Sequence, residues 1–357
     1  MTDIVTNASN LNQPKVLKSA FETFVTSQEL APFMGSGEDA IIHRQIRTGK
    51  GAGDTTYFSL RGILPTSAIV SGTTQLEGAE SNQELFDFGI VVDNKRSATS
   101  VPNRKLTDLR TPIALVEYMR PLLLDQHARA LRDDIIATAD VTATPNRTRV
   151  LFGADDANYD ATLATALATV DATNDKLSVA MIRTAVDKAR NVASVSGGVE
   201  SREIRPSSFK TINGALQRSY VLWVDAEGAR QLQADSEFKE LRDDTRSNMI
   251  SMPYFNGQDY LGMVEGVMVY RIDAMSALTK AAAGAAGIDV GHAVLCGAQA
   301  FGLSFGNVGS FEKSDNTDYN FNAKIGYHVI RGQAMFTFDE GAGAVEQGVV
   351  HLFYAKV

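Results

Sequence analysis

Cysteine is almost missing from this chain of 357 residues: Cys296 stands alone. A single thiol excludes an internal disulfide, and a fold built without such staples fits assembly in a reducing cytoplasm. Histidine is scarce as well, with five residues scattered along the chain. None forms the paired spacing of a zincin centre, so no metal site is expected. Positive charge is in deficit, 34 Lys and Arg against 42 Asp and Glu, for a net charge of −8. Basic patches supply most of the affinity for nucleic acid, so this balance argues against a non-specific DNA-binding protein. No apolar run reaches the ~18 residues of a membrane span. The opening MTDIVTNASNLNQPK also lacks the basic-then-apolar order of a secretory signal, and no membrane partner is expected.

What is present is a globular composition, 44% hydrophobic and 21% charged, with length for one large domain or two to three modest ones. The longest stretch that reads as one element is Thr111 to Asp140. Thr111 is a fair N-cap and Pro112 sits at the first helical position, where a missing N–H costs nothing. Val116, Met119, Leu123, Ala130, Leu131 and Ile135 recur every three or four residues and form one apolar stripe. Asp125–Arg129 and Arg129–Asp133 are i,i+4 charge pairs for a wetted face. Pro121 lies inside and should kink the helix. At ~1.5 Å per residue the element would run ~45 Å, a spine laid across a flat molecule.

Before the spine, residues 1 to about 35 are polar apart from Val16, Leu17, Phe21, Phe24 and Val25, an amphipathic piece too short to be stable alone. From Ile41 to Asp93 the pattern turns β, with a glycine-rich tip at Gly49, Gly51 and Gly53. So little apolar material sits there that a long hairpin would need packing from outside, most naturally from another copy of the chain. After the spine, Arg149 to Phe152 reads as a short strand and Leu177 to Val192 as a helix. Tyr220 to Val224 (YVLWV) reads as a buried strand, followed by a helix capped by Asp225 with Ala229, Leu232 and Phe238 inside. Gly262 to Ile272 reads as a strand pair with a glycine turn. Lys280 to Gly287 (KAAAGAAG) reads as a surface tongue. The end is β again. Strands and helices mix without βαβ alternation, so the class is α+β.

Chemistry is hard to find. Gly302-Leu303-Ser304-Phe305-Gly306 matches G-x-S-x-G, the nucleophile elbow of a serine hydrolase, with His328, His351, Asp315, Asp318 and Asp339 downstream. The elbow requires a helix directly after the serine, and Asn307-Val308-Gly309-Ser310 reads as turn, so Ser304 is expected to be an ordinary strand residue. Gly49 to Asp54 lacks the order of a phosphate loop. Asp133 and Asp134, being adjacent, point to different sides of a helix and are expected to be a solvated face. Neither a catalytic residue nor a cofactor is expected, and the chain does not read as an enzyme.

Four stretches in order, Gly49–Glu80 (GKGAGDTTYFSLRG…LEGAE) with the helix ending HARALRDDIIATA, Ile204–Pro206 leading into YVLWVDAEGARQLQADSEFKELRDD, PYFNGQDYLGMVEGVMVYRID, and Leu295–Ala300 (LCGAQA), together resemble a tailed-bacteriophage major capsid protein. The branch is that of some short-tailed phages and prophages. The resemblance implies an N-terminal arm (1–40), an extended β-loop (41–93), a peripheral domain (94–174) carrying the spine at 111–140, an axial domain (175–309), and return strands with a C-terminal strand (310–357). It implies self-assembly into hexamers and pentamers of an icosahedral virion shell, built in the host cytoplasm. The implied partners are a scaffolding protein, a portal, a decoration protein and packaged double-stranded DNA touched non-specifically. Inter-subunit contact would fall on Phe21, Phe24, Lys50, Gly51, Gly53, Arg61 and Gly62, and the structural spine on Pro121, Arg129, Leu131 and Asp133. Lys50 stands where some relatives crosslink to a neighbour's asparagine. The glutamate-lined apolar pocket that this needs has no sign in the sequence, and no crosslink is expected.

Overall fold

The computed structural model describes residues 30–46, 54–61, 71–72, 85–101, 115–190, 194–195, 199–200, 203–210, 216–240, 259–314, 322–339 and 344–357. In chain order the first strands are β1 (Met34–Gly35), β2 (Ile42–Ile46), β3 (Thr55–Arg61), β4 (Leu85–Val91) and β5 (Asp93–Val101). Helix α1 (Leu115–Thr138), β6 (Val150–Phe152), α2 (Leu163–Ala168) and α3 (Val179–Arg190) follow. Next come β7 (Ser194–Val195), β8 (Val199–Glu200), β9 (Ser207–Lys210), β10 (Leu216–Val224), α4 (Ala226–Ala234), β11 (Tyr260–Val264) and β12 (Val267–Arg271). The chain ends through β13 (Asp289–Cys296), β14 (Phe301–Ser314), β15 (Ala323–Met335), β16 (Thr337–Asp339), β17 (Ala344–Glu346) and β18 (Val349–Lys356).

Two sheets carry the body. The first has order β1-β2-β14-β15-β5, built on the long antiparallel β14–β15 hairpin, with β2 parallel to Phe301–Phe305. Along β15 buried and half-buried residues alternate, so Ile325, Tyr327 and Val329 share one face. The spine α1 lies on that face. Its stripe of Met119, Leu123, Leu131 and Ile135 is buried as expected, joined by Ala128, Ile136 and Ala139. The helix ends at Thr138, and its 24 described residues span ~36 Å. Thr111 and Pro112 lie outside the described residues, as does the side chain of Val116. Ala130 is only half-buried.

The charge pairs of the spine differ in part from expectation. Arg129 bonds Asp125, both exposed, but Asp133 is taken by Arg132 at 2.9 Å. Asp134 is not a freely solvated group: it accepts from the buried Arg331 of β15 at 2.7 Å. Adjacent aspartates do face apart, and one of them turns inward because the sheet presents a cation there.

The second sheet has order β11-β12-β10-β13-β18-β6, with β9 paired to β10. On β10, Val221 and Trp223 enter the core shared with the spine, whereas Tyr220, Leu222 and Val224 enter a core covered by α3 and α4. Burial on both faces is why YVLWV is a continuous apolar run. Asp225 caps α4 by accepting from the Gly228 amide at 2.8 Å, and Ala229, Leu232 and Phe238 are buried. Glu265 and Gly266 both adopt positive φ, 49° and 81°, the geometry of a tight two-residue hairpin turn between β11 and β12.

Several spans interleave where separate blocks were expected. Ile42–Ile46 opens the span expected as a loop yet belongs to the five-stranded sheet. The expected arm also enters the body before residue 40: Leu30 and Phe33 are buried, with Phe33 edge-on to Tyr270 at 5.0 Å and near Trp223 at 5.8 Å. After the spine, β6 leaves for the seven-stranded sheet, and β18 lies inside that sheet between β13 and β6. The Ala/Gly tongue is folded back and not free. Lys280 bridges to Val290 and donates to Asp140 at 2.6 Å, while Gly284 is buried against Val170 and Ile288.

Candidate assembly surfaces

The loop hairpin β3–β4 pairs Thr55–Arg61 with Leu85–Val91 in register, so its two faces can be read directly. Inward face Thr56, Phe58, Phe86, Phe88 and Ile90, and the four apolar ones form a small core with Phe336 and Ala334. The Phe58 and Phe88 rings stand 4.9 and 5.6 Å from that of Phe336, both edge-on. The Thr56 and Ser304 hydroxyls are bonded at 2.6 Å. A hairpin without any core of its own was expected. The structure corrects this: its base is anchored in its own subunit.

That anchorage also accounts for the G-x-S-x-G match. Ser304 is fully buried within β14, paired opposite Gly332, with no turn or helix beside it. A Cβ on Gly302 would sit 2.5 Å from Ile90 Cδ1 and 2.6 Å from the Phe336 ring. The first glycine of the motif is where the hairpin presses on the sheet, and the serine is its hydrogen-bond partner. Its histidine candidates are engaged elsewhere: His328 with Ser310 at 2.8 Å, and His351 with His292 at 2.9 Å. Ser304 is a packing residue.

Outward, the hairpin presents Tyr57, 59% exposed, and Val91, 65% exposed. Tyr57 lies across Gly89, and Ser59 donates to Asp87 at 2.6 Å further along the same face. Ile46, 43% exposed, closes the end of β2 nearby. Between β2 and the hairpin is an open cleft of about 480 Å³ lined by His43, Arg44, Ile46, Tyr57, Phe336 and Gln347. One face of this hairpin is therefore bound within the subunit, and the other leaves Tyr57 and Val91 exposed.

The spine has a second such surface. Pro121 is exposed, and Leu122 beside it is 61% exposed on a side otherwise populated by Asp125, Gln126, Arg129 and Asp133. Arg129 and Asp133 are exposed and Leu131 is buried, as the stripe required. Of the loop and arm residues expected to touch a neighbour, Phe21, Phe24, Lys50, Gly51, Gly53 and Gly62 lie outside the described residues. Arg61 closes β3, with its side chain outside them. Sequence reasoning missed Tyr57, Val91 and Leu122. Period-2 alternation in TYF and FDFGIV was the available signal for the hairpin, since it separates a face that packs from a face that does not.

Among the described residues no His, Cys, Asp or Glu cluster could hold a metal, and no helix is long and apolar enough to cross a membrane. Cys296 is buried, and burial pushes its thiol well above the ordinary range, so it should be inert. Native chain is expected to resist a thiol reagent that labels it stoichiometrically once unfolded, which a timed labelling assay checks.

A two-layered body, a spine helix lying on a sheet, and an anchored hairpin with an apolar outer face are the architecture of a phage shell subunit. The chain superposes on the cyanophage Pam1 capsid asymmetric unit with TM-score 0.75, at 21% identity over 93% of each chain. It matches the capsid of Ralstonia phage GP4 with TM-score 0.72, at 19% identity over 91% of this chain and 90% of that one. For the head of Helicobacter pylori bacteriophage KHP40 the TM-score is 0.67, at 17% identity over 92% and 91%. No curated protein sequence matches significantly. Residues 7–351 match the phage capsid protein family, and the chain belongs to that family. It is a structural protein of the virion that forms the shell by association with itself.

Proposed function

We propose that the subunits close into hexamers and pentamers of an icosahedral shell, and that the outer face of the β3–β4 hairpin is the contact that joins them. The observation that carries this is the exposed Tyr57–Val91 face on a hairpin whose other face is fixed to its own sheet. A rigidly based arm bearing apolar groups loses little entropy on docking. Identical subunits meeting through unlike surfaces form rings when the rotation closes. The five-stranded sheet with the spine would be the peripheral domain, and the seven-stranded sheet with α3 and α4 the axial one. A scaffolding protein, a portal, a decoration protein and non-specifically contacted DNA are the partners this role calls for. Assembly would take place in the host cytoplasm, with the acidic chain needing no strong attraction for phosphate. Tyr57→Asp combined with Val91→Asp should leave a folded subunit, because both side chains are in water, and should abolish closed shells in electron micrographs. Normal shells from that variant would sink the proposal.

The arm is the second contact we propose, through Phe21 and Phe24. Since Leu30 and Phe33 belong to the subunit core, the informative deletion stops at residue 28. It should give a subunit of unchanged denaturation midpoint that builds no regular shells. Removal of residues 1–35 should in addition lower the midpoint, because it takes away two fully buried side chains.

A further inference from the structure

On the central strands of the seven-stranded sheet, β13 and β18 bring His292 and His351 together on one face. Register pairs His292 with Phe353 and Val294 with His351, so the two imidazoles are diagonal neighbours. Both are fully buried, and His292 Nε2 lies 2.9 Å from His351 Nδ1. The Phe353 ring stacks on His292 at 4.5 Å. The two remaining ring nitrogens, His292 Nδ1 and His351 Nε2, are buried and have no partner among the described residues. The charge bearing on the pair from the packed elements is the ammonium of Lys280, from the segment before β13, and it is held by Asp140 Oδ1 and the Val141 carbonyl beyond the spine. Among the described residues no carboxylate bonds either ring.

We infer that this pair is an acid latch: it ties β13 to β18 at full strength while both imidazoles are neutral, so acidification loosens the subunit from inside its central sheet. The contact needs one shared proton, an N–H of one ring donating to the bare nitrogen of the other. A first added proton keeps the hydrogen bond but puts a charge into an apolar seam on which the Lys280 ammonium already bears. A second leaves two N–H groups facing each other. Burial holds His292 well below the ordinary histidine value, helped by His351 and Lys280, and pulls His351 down to about 3. In the unfolded chain both rings titrate near 6.5. Folded values below unfolded ones mean that the pair's contribution is complete above about pH 7 and is lost as pH falls through 6.5 and below, because unfolding takes up two protons. This device goes beyond shell formation and is independent of which surfaces join the subunits.

The test is denaturant unfolding of the full chain at pH 7.5 and pH 5.5, with His292→Gln/His351→Gln beside the wild type. Two imidazoles neutral only in the folded state make the wild-type folding constant fall about 100-fold more than the variant's across that interval, or ~2.7 kcal/mol. His127, a third buried imidazole pulled to about 4 by burial and by Arg331, is present in both proteins and cancels. Should the double variant fail to fold, deuterium exchange at the imidazole C2 position reports each ring in the wild type. The latch requires His292 and His351 to stay neutral in the folded chain at pH 5.5. Parallel stability curves for the two proteins, or a folded-state midpoint above pH 6 at either ring, would overturn it.

Discussion

Leu131→Ala is expected to destabilise the isolated subunit by about 2–5 kcal/mol, read as a lowered denaturation midpoint with unchanged slope. Leu131 is fully buried on the inner stripe of the spine, in the core where Met119, Leu123 and Ile135 meet Ile325, Tyr327 and Val329 of the sheet. Its truncation removes three heavy atoms from a site that a helix and a sheet both frame, so collapse around the void is limited and the cavity cost adds to the transfer cost. Two positions earlier on the same helix, Arg129→Ala should cost under about 1 kcal/mol, because its pair with Asp125 is in water on both sides. A cost for Leu131→Ala no larger than for Arg129→Ala would mean that the spine is not seated on the sheet as described.

How far this could be read from the sequence depended on whether neighbours along the chain were also neighbours in space. Met119, Leu123, Leu131 and Ile135 of the spine stripe, the buried YVLWV strand and the Asp225 cap rest on local spacing and hydrogen bonding, and each is found where the pattern put it. Apart from Asp133, taken by Arg132 and not by Arg129, and the half-buried Ala130, the failures are long-range. Asp134 reads as a solvated charge until Arg331, 197 residues away, is brought beneath it. Ser304 is a strand residue, as expected, but that the hairpin of Ile90 and Thr56 lies over it and Gly302 has no local sign. Phe33 reads as part of a free arm, since nothing local announces that Trp223 and Tyr270 form its socket. The tongue at Lys280 reads as an insertion because alanine and glycine leave no side-chain pattern, while its attachment is through the backbone and one lysine. Parallel pairing of β2 with β14, some 260 residues apart, is likewise invisible to periodicity.

Pro121→Ala should yield a subunit at least as stable as the wild type that assembles into aberrant or flattened shells. Proline within a helix gives up one ladder hydrogen bond and crowds the preceding turn, a cost of roughly 3 kcal/mol against alanine. In the subunit Pro121 is exposed, so little burial of its own offsets that cost. The position is nonetheless placed with purpose: it adjoins Leu122, the exposed leucine of an otherwise polar spine surface, in the same α1 that spans the sheet. We propose that the bend expected at Pro121 sets the curvature of the spine and the angle at which Leu122 meets a neighbour. Leu122→Ala separates the two roles, since it removes the contact and keeps the proline. If contact alone matters, Leu122→Ala should weaken assembly and Pro121→Ala should leave it unchanged. If the bend matters, Pro121→Ala alone gives misshapen particles, with a denaturation midpoint equal to or above that of the wild type. Micrographs and midpoints from the same preparations decide it, and shells of normal size and outline from Pro121→Ala would end the curvature role.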